Sequence, residues 1–283
     1  MSREKKGRKP AYGRIFGFLL IVVIVCVGIP YAVRLKKIYT REIVANIPDP
    51  EKYPVMGVDV SRYQGNIDWS VIASQNITFA FIKATEGSSH QDPCFSENWE
   101  EVKKTNIYSG AYHFFSFESS GETQAQNFID TVGSLEKTNL PPVIDLEFYG
   151  DYSTAPLSRK ETQEILNALL KKLEEYYHVK PIIYTTTKAY YHYMLGGGYS
   201  KYPLWFRNTY QEPFVNWSFW QYSDEGKLAG YDGIQPDCTE MCIDLNVYHS
   251  SYEAFLEEFS LPEATRETLD NDEGEKEEKE NKT

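Results

Sequence analysis

The sequence predicts an α/β barrel with an abbreviated last part, preceded by a transmembrane helix. Three observations lead there. Apolar or β-branched runs recur between residues 55 and 260, and each of the first five is followed by a stretch with helical spacing. Three more runs follow with no helix between them, which brings the strand count to eight. Acidic residues occupy similar places in the first, fourth and eighth runs. At 283 residues the chain has room for one such barrel, since α/β barrels of roughly 250 residues are common.

Ahead of the barrel, the first 14 residues carry Arg3, Lys5, Lys6, Arg8, Lys9 and Arg14 against one acid, Glu4. Residues 15–33 then run 19 positions without a charge, about the minimum for a bilayer span. Basic residues before a span favour a cytoplasmic N-terminus. Residues 1–14 are therefore expected inside the cell membrane and the barrel outside it. A cleaved signal peptide and a secreted product form the alternative, although no clear A-x-A site follows the apolar run. Residues 34–54 are polar, contain Pro48, Pro50 and Pro54, and read as a linker.

The barrel runs are Met56–Val60, Thr78–Ala84, Ser109–Phe115, Val143–Glu147 and Ile182–Thr186. Helical spacing follows at Trp69, Ile72 and Ala73, then at Phe95, Trp99 and Val102. The longest helix carries Ile165, Leu166, Leu169, Leu170 and Leu173, with Ser158 and Glu161 as its capping box. Pro203–Arg207, Ser218–Tyr222 and Cys242–Tyr248 read as the last three strands, joined by Gly, Pro and Asn, and Ser251–Phe259 as a closing helix. Residues 261–283 alternate Glu, Lys, Asp and Asn with almost nothing apolar to bury, which predicts a disordered acidic tail.

A net charge of −12 argues against nucleic acid as a partner, although much of it lies in the tail. The five histidines are scattered and the four cysteines make no metal set, so neither metal nor cofactor is expected. Cys238 and Cys242, four apart, suit either a local disulfide or two semi-buried thiols. A monomer is expected.

Chemistry enters with Pro141-Pro142-Val143-Ile144-Asp145-Leu146-Glu147. Side chains alternate along a strand, so Asp145 and Glu147 share one face while Ile144 and Leu146 share the other. Two like charges there repel, and such crowding raises one pKa while the other group stays ionised. An alternative is that the strand has simply reached solvent. Asp59 likewise stands opposite Val58 and Val60, and Asp244 with Asn246 stands opposite Ile243, Leu245 and Val247. Parallel barrels place their sites at the C-terminal strand ends, where these four acids would converge. Tyr112, His113, Tyr184, Trp205, Trp220 and Gln221 fall at corresponding places as candidate substrate-binding groups. His113 suits a hydrogen-bonded core position as well as a site, and both tryptophans suit core filling as well as a sugar platform. An acidic pocket lined by rings fits a neutral polyhydroxylated ligand.

These residues resemble a known family. Gly57-Val58-Asp59-Val60-Ser61 with Tyr63-Gln64-Gly65 and Ile67-Asp68-Trp69 is similar to the opening of glycoside hydrolase family 25, the Chalaropsis-type lysozymes or N-acetylmuramidases. Phe81–Gly87, Gly110–Phe114, Asp145-Leu146-Glu147 and Asp244–Tyr248 resemble its later strands in the same order. The resemblance implies an irregular (β/α)5(β)3 barrel. It also implies cleavage of the β-1,4 bond between N-acetylmuramic acid and N-acetylglucosamine in peptidoglycan. Glu147 becomes the general acid, Asp145 its partner, and Asp59 and Asp244 supporting acids. The membrane segment, Gly196-Gly197-Gly198, the tail and Cys238/Cys242 depart from the family pattern. A membrane-tethered, non-catalytic glycan-binding module is the rival, but it would have no need of all four acids. A metal-dependent amidase or deacetylase would need a histidine cluster that the sequence lacks.

Overall fold

The computed structural model describes residue 29 and residues 47–263. Apart from residue 29, the expected span at 15–33 lies outside the described residues, as do most of the linker and the tail beyond 263. Among the described residues no helix is long and apolar enough to cross a membrane.

Eight strands close into a ring. Strands β1 (Met56–Val60), β2 (Phe79–Glu86), β4 (Tyr108–Phe114), β5 (Val143–Leu146), β6 (Ile182–Thr186), β7 (Leu204–Arg207) and β8 (Phe219–Gly226) run parallel, and β1 pairs with β2 to close it. The two-residue β3 (His90–Gln91) hooks onto the end of β2. The last strand, β9 (Ile243–Tyr248), runs antiparallel to both β8 and β1. Its beginning therefore lies at the mouth, beside the ends of the parallel strands.

Helices α1 (Trp69–Ala73), α2 (Phe95–Val102), α3 (Gly121–Val132) and α4 (Arg159–Tyr177) follow the early strands. Local chemistry starts them. The Asp68 carboxylate accepts from the backbone N–H of Ser70 and Val71, Ser120 from Thr123, and Ser158 from Glu161. An irregular helical stretch, Thr187–Ala189 continuing into Tyr190–Met194, follows β6. No helix interrupts residues 208–217 or 227–242, so the barrel loses its helical cover on this side.

The expected alternation of faces organises two cores. Outward residues such as Val58, Ile82, Ile144 and Leu146 pack with Leu166, Leu169, Leu170 and Leu173 of α4. Inward residues such as Phe79, Phe81, Val143, Trp205 and Phe219 fill the barrel. Gly57 and Gly110 make room for two of those rings, since a Cβ would stand 2.4 Å from Phe79 and 2.7 Å from Phe81. The helix α5 (Tyr252–Phe259) sends Phe255 into the same inner core from the end opposite the mouth. Each buried ring of this kind contributes about 1.5–3 kcal/mol.

Both domain boundaries move outward from their sequence-based positions. Tyr53, assigned to the linker, is buried against Trp217 and Trp220 and donates its hydroxyl to Glu212 at 2.6 Å. Leu261, assigned to the tail, is buried in the inner core, and the Pro262 carbonyl accepts from the Tyr108 hydroxyl at 2.7 Å. Cys94, Cys238 and Cys242 are all free thiols, so the disulfide alternative is not realised.

Candidate active site

The four acids meet in one cavity of about 400 Å³ at the mouth. Asp59 and Asp244 face each other as register partners across β1 and β9. Asp145 comes from the end of β5, and Glu147 follows one residue beyond that strand. Burial pushes all four carboxyls upward in pKa. Asp244 is driven to about 9, first by burial and then by the charge of Asp59. For Asp145 the Glu147 charge follows burial as the next cause. Its Oδ1 is buried and has no hydrogen-bond partner among the described residues. Such an atom is rare in a folded protein.

Tyr112, Tyr184, Trp205 and Gln221 line the same cavity, as expected. Their exposure sorts them differently. Trp205 is only 2 % exposed and lies stacked on Phe81 at 4.4 Å, so it forms a floor beneath the acids rather than an open sugar platform. Gln221 reaches Asp59 Oδ2 at 2.9 Å and Asp244 Oδ2 at 3.1 Å.

Two of the expected binding residues point the other way. His113 follows Tyr112 on β4 and therefore faces outward into the helical layer. A register shift after Lys83 turns Thr85 towards it, and Thr85 Oγ1 meets His113 Nδ1 at 2.8 Å. Its Nε2 meets Gln124 Oε1 at 3.0 Å. Gln124 donates its own amide N–H to the Ser116 and Ser119 carbonyls, so its oxygen must accept and His113 must donate. Burial holds this histidine neutral, with its pKa lowered to about 4. Trp220 precedes Gln221 and also faces outward, where it packs on Tyr53 and Trp217 and donates to the Asn208 carbonyl at 2.9 Å.

Other residues complete the rim. Lys83 lines the cavity and pairs with Glu86 at 2.8 Å. The inward series Phe79, Phe81, Lys83 was its signal, because a cation after two inward rings has to meet the acids. Tyr63, 44 % exposed with Arg62 over its ring, is the open aromatic of the cavity. Glu240 and Cys242 come from the long β8–β9 connection, which no sequence pattern placed there.

The family model described as glycosyl hydrolases family 25 matches residues 58–231. The chain belongs to this family. It is thus a glycoside hydrolase, and its eight-strand barrel is consistent with the family's fold. A structure titled as a family 25 glycosyl hydrolase from Bacillus anthracis is 42 % identical, with a TM-score of 0.68 over 75 % of this chain and 95 % of that one. Among curated proteins, uncharacterized protein YegX of Escherichia coli is 37 % identical over 72 % of this chain and 73 % of its own length. Lysozyme M1 of Streptomyces globisporus is 34 % identical over 63 % of this chain and 65 % of its own.

Proposed function

We propose that this family 25 enzyme is a peptidoglycan hydrolase of the lysozyme type. Its target is the β-1,4 bond between N-acetylmuramic acid and N-acetylglucosamine. The supporting observation is the group of four carboxyls around one cavity, with a buried Asp145 oxygen left unpartnered beside Glu147. Glycoside cleavage needs a proton on the leaving oxygen and a negative group near the oxocarbenium-like carbon. Glu147, its pKa raised by burial, delivers that proton as the glycosidic C–O bond breaks. Asp145 stabilises the positive centre, either directly or by orienting the substrate's own N-acetyl group. Water then adds at the sugar carbon, and its proton returns to Glu147. Tyr63 offers its open ring to a sugar face at the rim.

Digestion of purified peptidoglycan by the full chain, followed by mass analysis, tests the reading. New reducing ends on muramic acid are expected. Reducing ends on glucosamine would give the other bond, and binding without cleavage would restore the glycan-binding module.

The proposal extends to location. Residues 15–33 are uncharged and preceded by a basic segment, so they anchor the enzyme with its barrel outside the membrane. Cell fractionation should find the intact N-terminus in membranes. A soluble mature form starting near residue 35 would mean a cleaved signal peptide instead.

A further inference from the structure

Asp59 sits in a cage of donors whose directions are fixed from behind. The Trp205 indole N–H donates to Asn246 Oδ1 at 2.8 Å. An indole can only donate, so Asn246 must turn its NH2 towards Asp59, where Nδ2 reaches Oδ2 at 2.7 Å. In the same way the Tyr184 hydroxyl donates to Gln221 Oε1 at 2.9 Å. This turns the Gln221 NH2 to Asp59 and Asp244, whereas a flipped amide would aim its oxygen at two acids. One oxygen of Asp59 thus receives two N–H donors, which suits a carboxylate. Asp244 hydrogen-bonds Asp59, which raises its own pKa and lowers that of Asp59, so the proton of this pair resides on Asp244. Tyr184, Trp205, Gln221 and Asn246 are each at most 6 % exposed, which leaves no open face to grip a sugar.

We propose that Tyr184–Gln221 and Trp205–Asn246 are positioning pairs that keep Asp59 as a fixed negative charge, and that Asp59 acts through Glu147 and Asp145 rather than on the glycan. The effect on turnover rests on the hydrolase reading above. Asp59 bears on both acids of the β5 end and favours their protonated forms. A second negative charge there is disfavoured, so the pair retains the proton it must deliver. Lys83 from β2 opposes this for both acids, and Arg207 from β7 opposes it for Glu147. Both cations already pair elsewhere, with Glu86 and Asp224. Asp244 from β9, Tyr112 from β4 and Tyr184 from β6 complete the titratable groups facing Asp59, and burial keeps all three in their protonated forms at neutral pH.

The pH profile of kcat/KM for the full chain tests this. Asp59→Asn should move the basic limb down by about one pH unit, because the acid then loses its proton more readily. Tyr184→Phe and Asn246→Leu should move the same limb down by less, since a carboxylate with weaker donors protonates more readily and then no longer favours the protonated acids. KM should stay within about twofold in all three. A raised KM with an unmoved profile would show that these residues hold the glycan, and would overturn the proposal. Carbon NMR of full-length protein labelled at the Asp carboxyls needs neither turnover nor the Tyr184 and Asn246 variants. With signals assigned through Asp59→Asn and Asp244→Asn, Asp59 should be the carboxylate and Asp244 the acid at about pH 6–8. The reverse assignment would overturn the proposal whether or not peptidoglycan is the substrate.

Discussion

The cavity holds two carboxyl pairs that differ in one respect. Asp59 and Asp244 face each other across neighbouring strands, and Asp145 and Glu147 lie two residues apart along one chain segment. Burial raises the pKa in both pairs. Around Asp59 and Asp244, two amides held by the residues behind them donate to Oδ2 of each acid. Beside Glu147, a buried oxygen of Asp145 has no partner among the described residues. A satisfied polar network fixes geometry, while an unsatisfied group keeps its interaction strength for a ligand. In the proposed mechanism the first pair is scaffold and the second is the working end.

The sharpest test of that division is Glu147→Gln. The amide keeps shape and hydrogen bonding but has no proton to give, so turnover should fall about 10²–10⁴-fold while glycan binding persists. If rate assays on the variant retain more than about a tenth of wild-type activity, Glu147 is not the acid. Asp145→Asn comes next. Losing the charge near a developing positive centre should cost about 10²-fold or more in kcat. The melting temperature should hold or rise, since a crowded, buried carboxyl is removed. A variant that keeps its rate but melts lower would make Asp145 structural and dissolve the distinction between the pairs. Asp59→Asn should cost less, about tenfold at neutral pH, matching a basic limb that has moved rather than a lost chemical group. Equal losses in Asp59→Asn and Glu147→Gln across the whole pH range would put both pairs in the chemistry.

The strands and the meeting of the acids were legible because alternation ties every residue of a strand to one of two faces. What alternation forbids was equally instructive. Tyr112 with His113, and Trp220 with Gln221, are neighbours on single strands, so one of each had to face away. The acids fix which one: Tyr112 is in register with Val143, on the face of Asp145, and Gln221 with Asn246, on the face of Asp244, so the inward phase passes through Tyr112 and Gln221. Depth is not written in that pattern. Trp205 faces inward yet forms the buried floor of the cavity rather than an open platform, because depth depends on strand stagger around the closed ring. Strand direction was hidden too, and only the antiparallel course of β9 brings Asp244 to the mouth at the start of its strand. The boundaries failed for a simpler reason. Tyr53 and Leu261 are single apolar residues among prolines and charges, and composition over a window averages them away.

The smallest expected effect concerns the scaffold pair alone, and it is one of stability. Asp244 has a folded pKa of about 9, far above the ordinary carboxyl value of an unfolded chain. A carboxyl with a raised folded pKa favours the folded state fully below its unfolded pKa and progressively less as pH rises towards the folded one. Wild-type stability should therefore decline between about pH 4 and pH 9. Asp244→Asn mimics the protonated acid, since its NH2 can still donate to Asp59, and it cannot ionise. The variant should match the wild type near pH 4 and melt higher as pH rises, by about 2–4 °C for each kcal/mol recovered. Thermal melts of both proteins across that range decide the matter. A difference that stays flat with pH would mean that Asp244 does not hold the proton, and that the first pair is not ordered as its hydrogen bonds suggest.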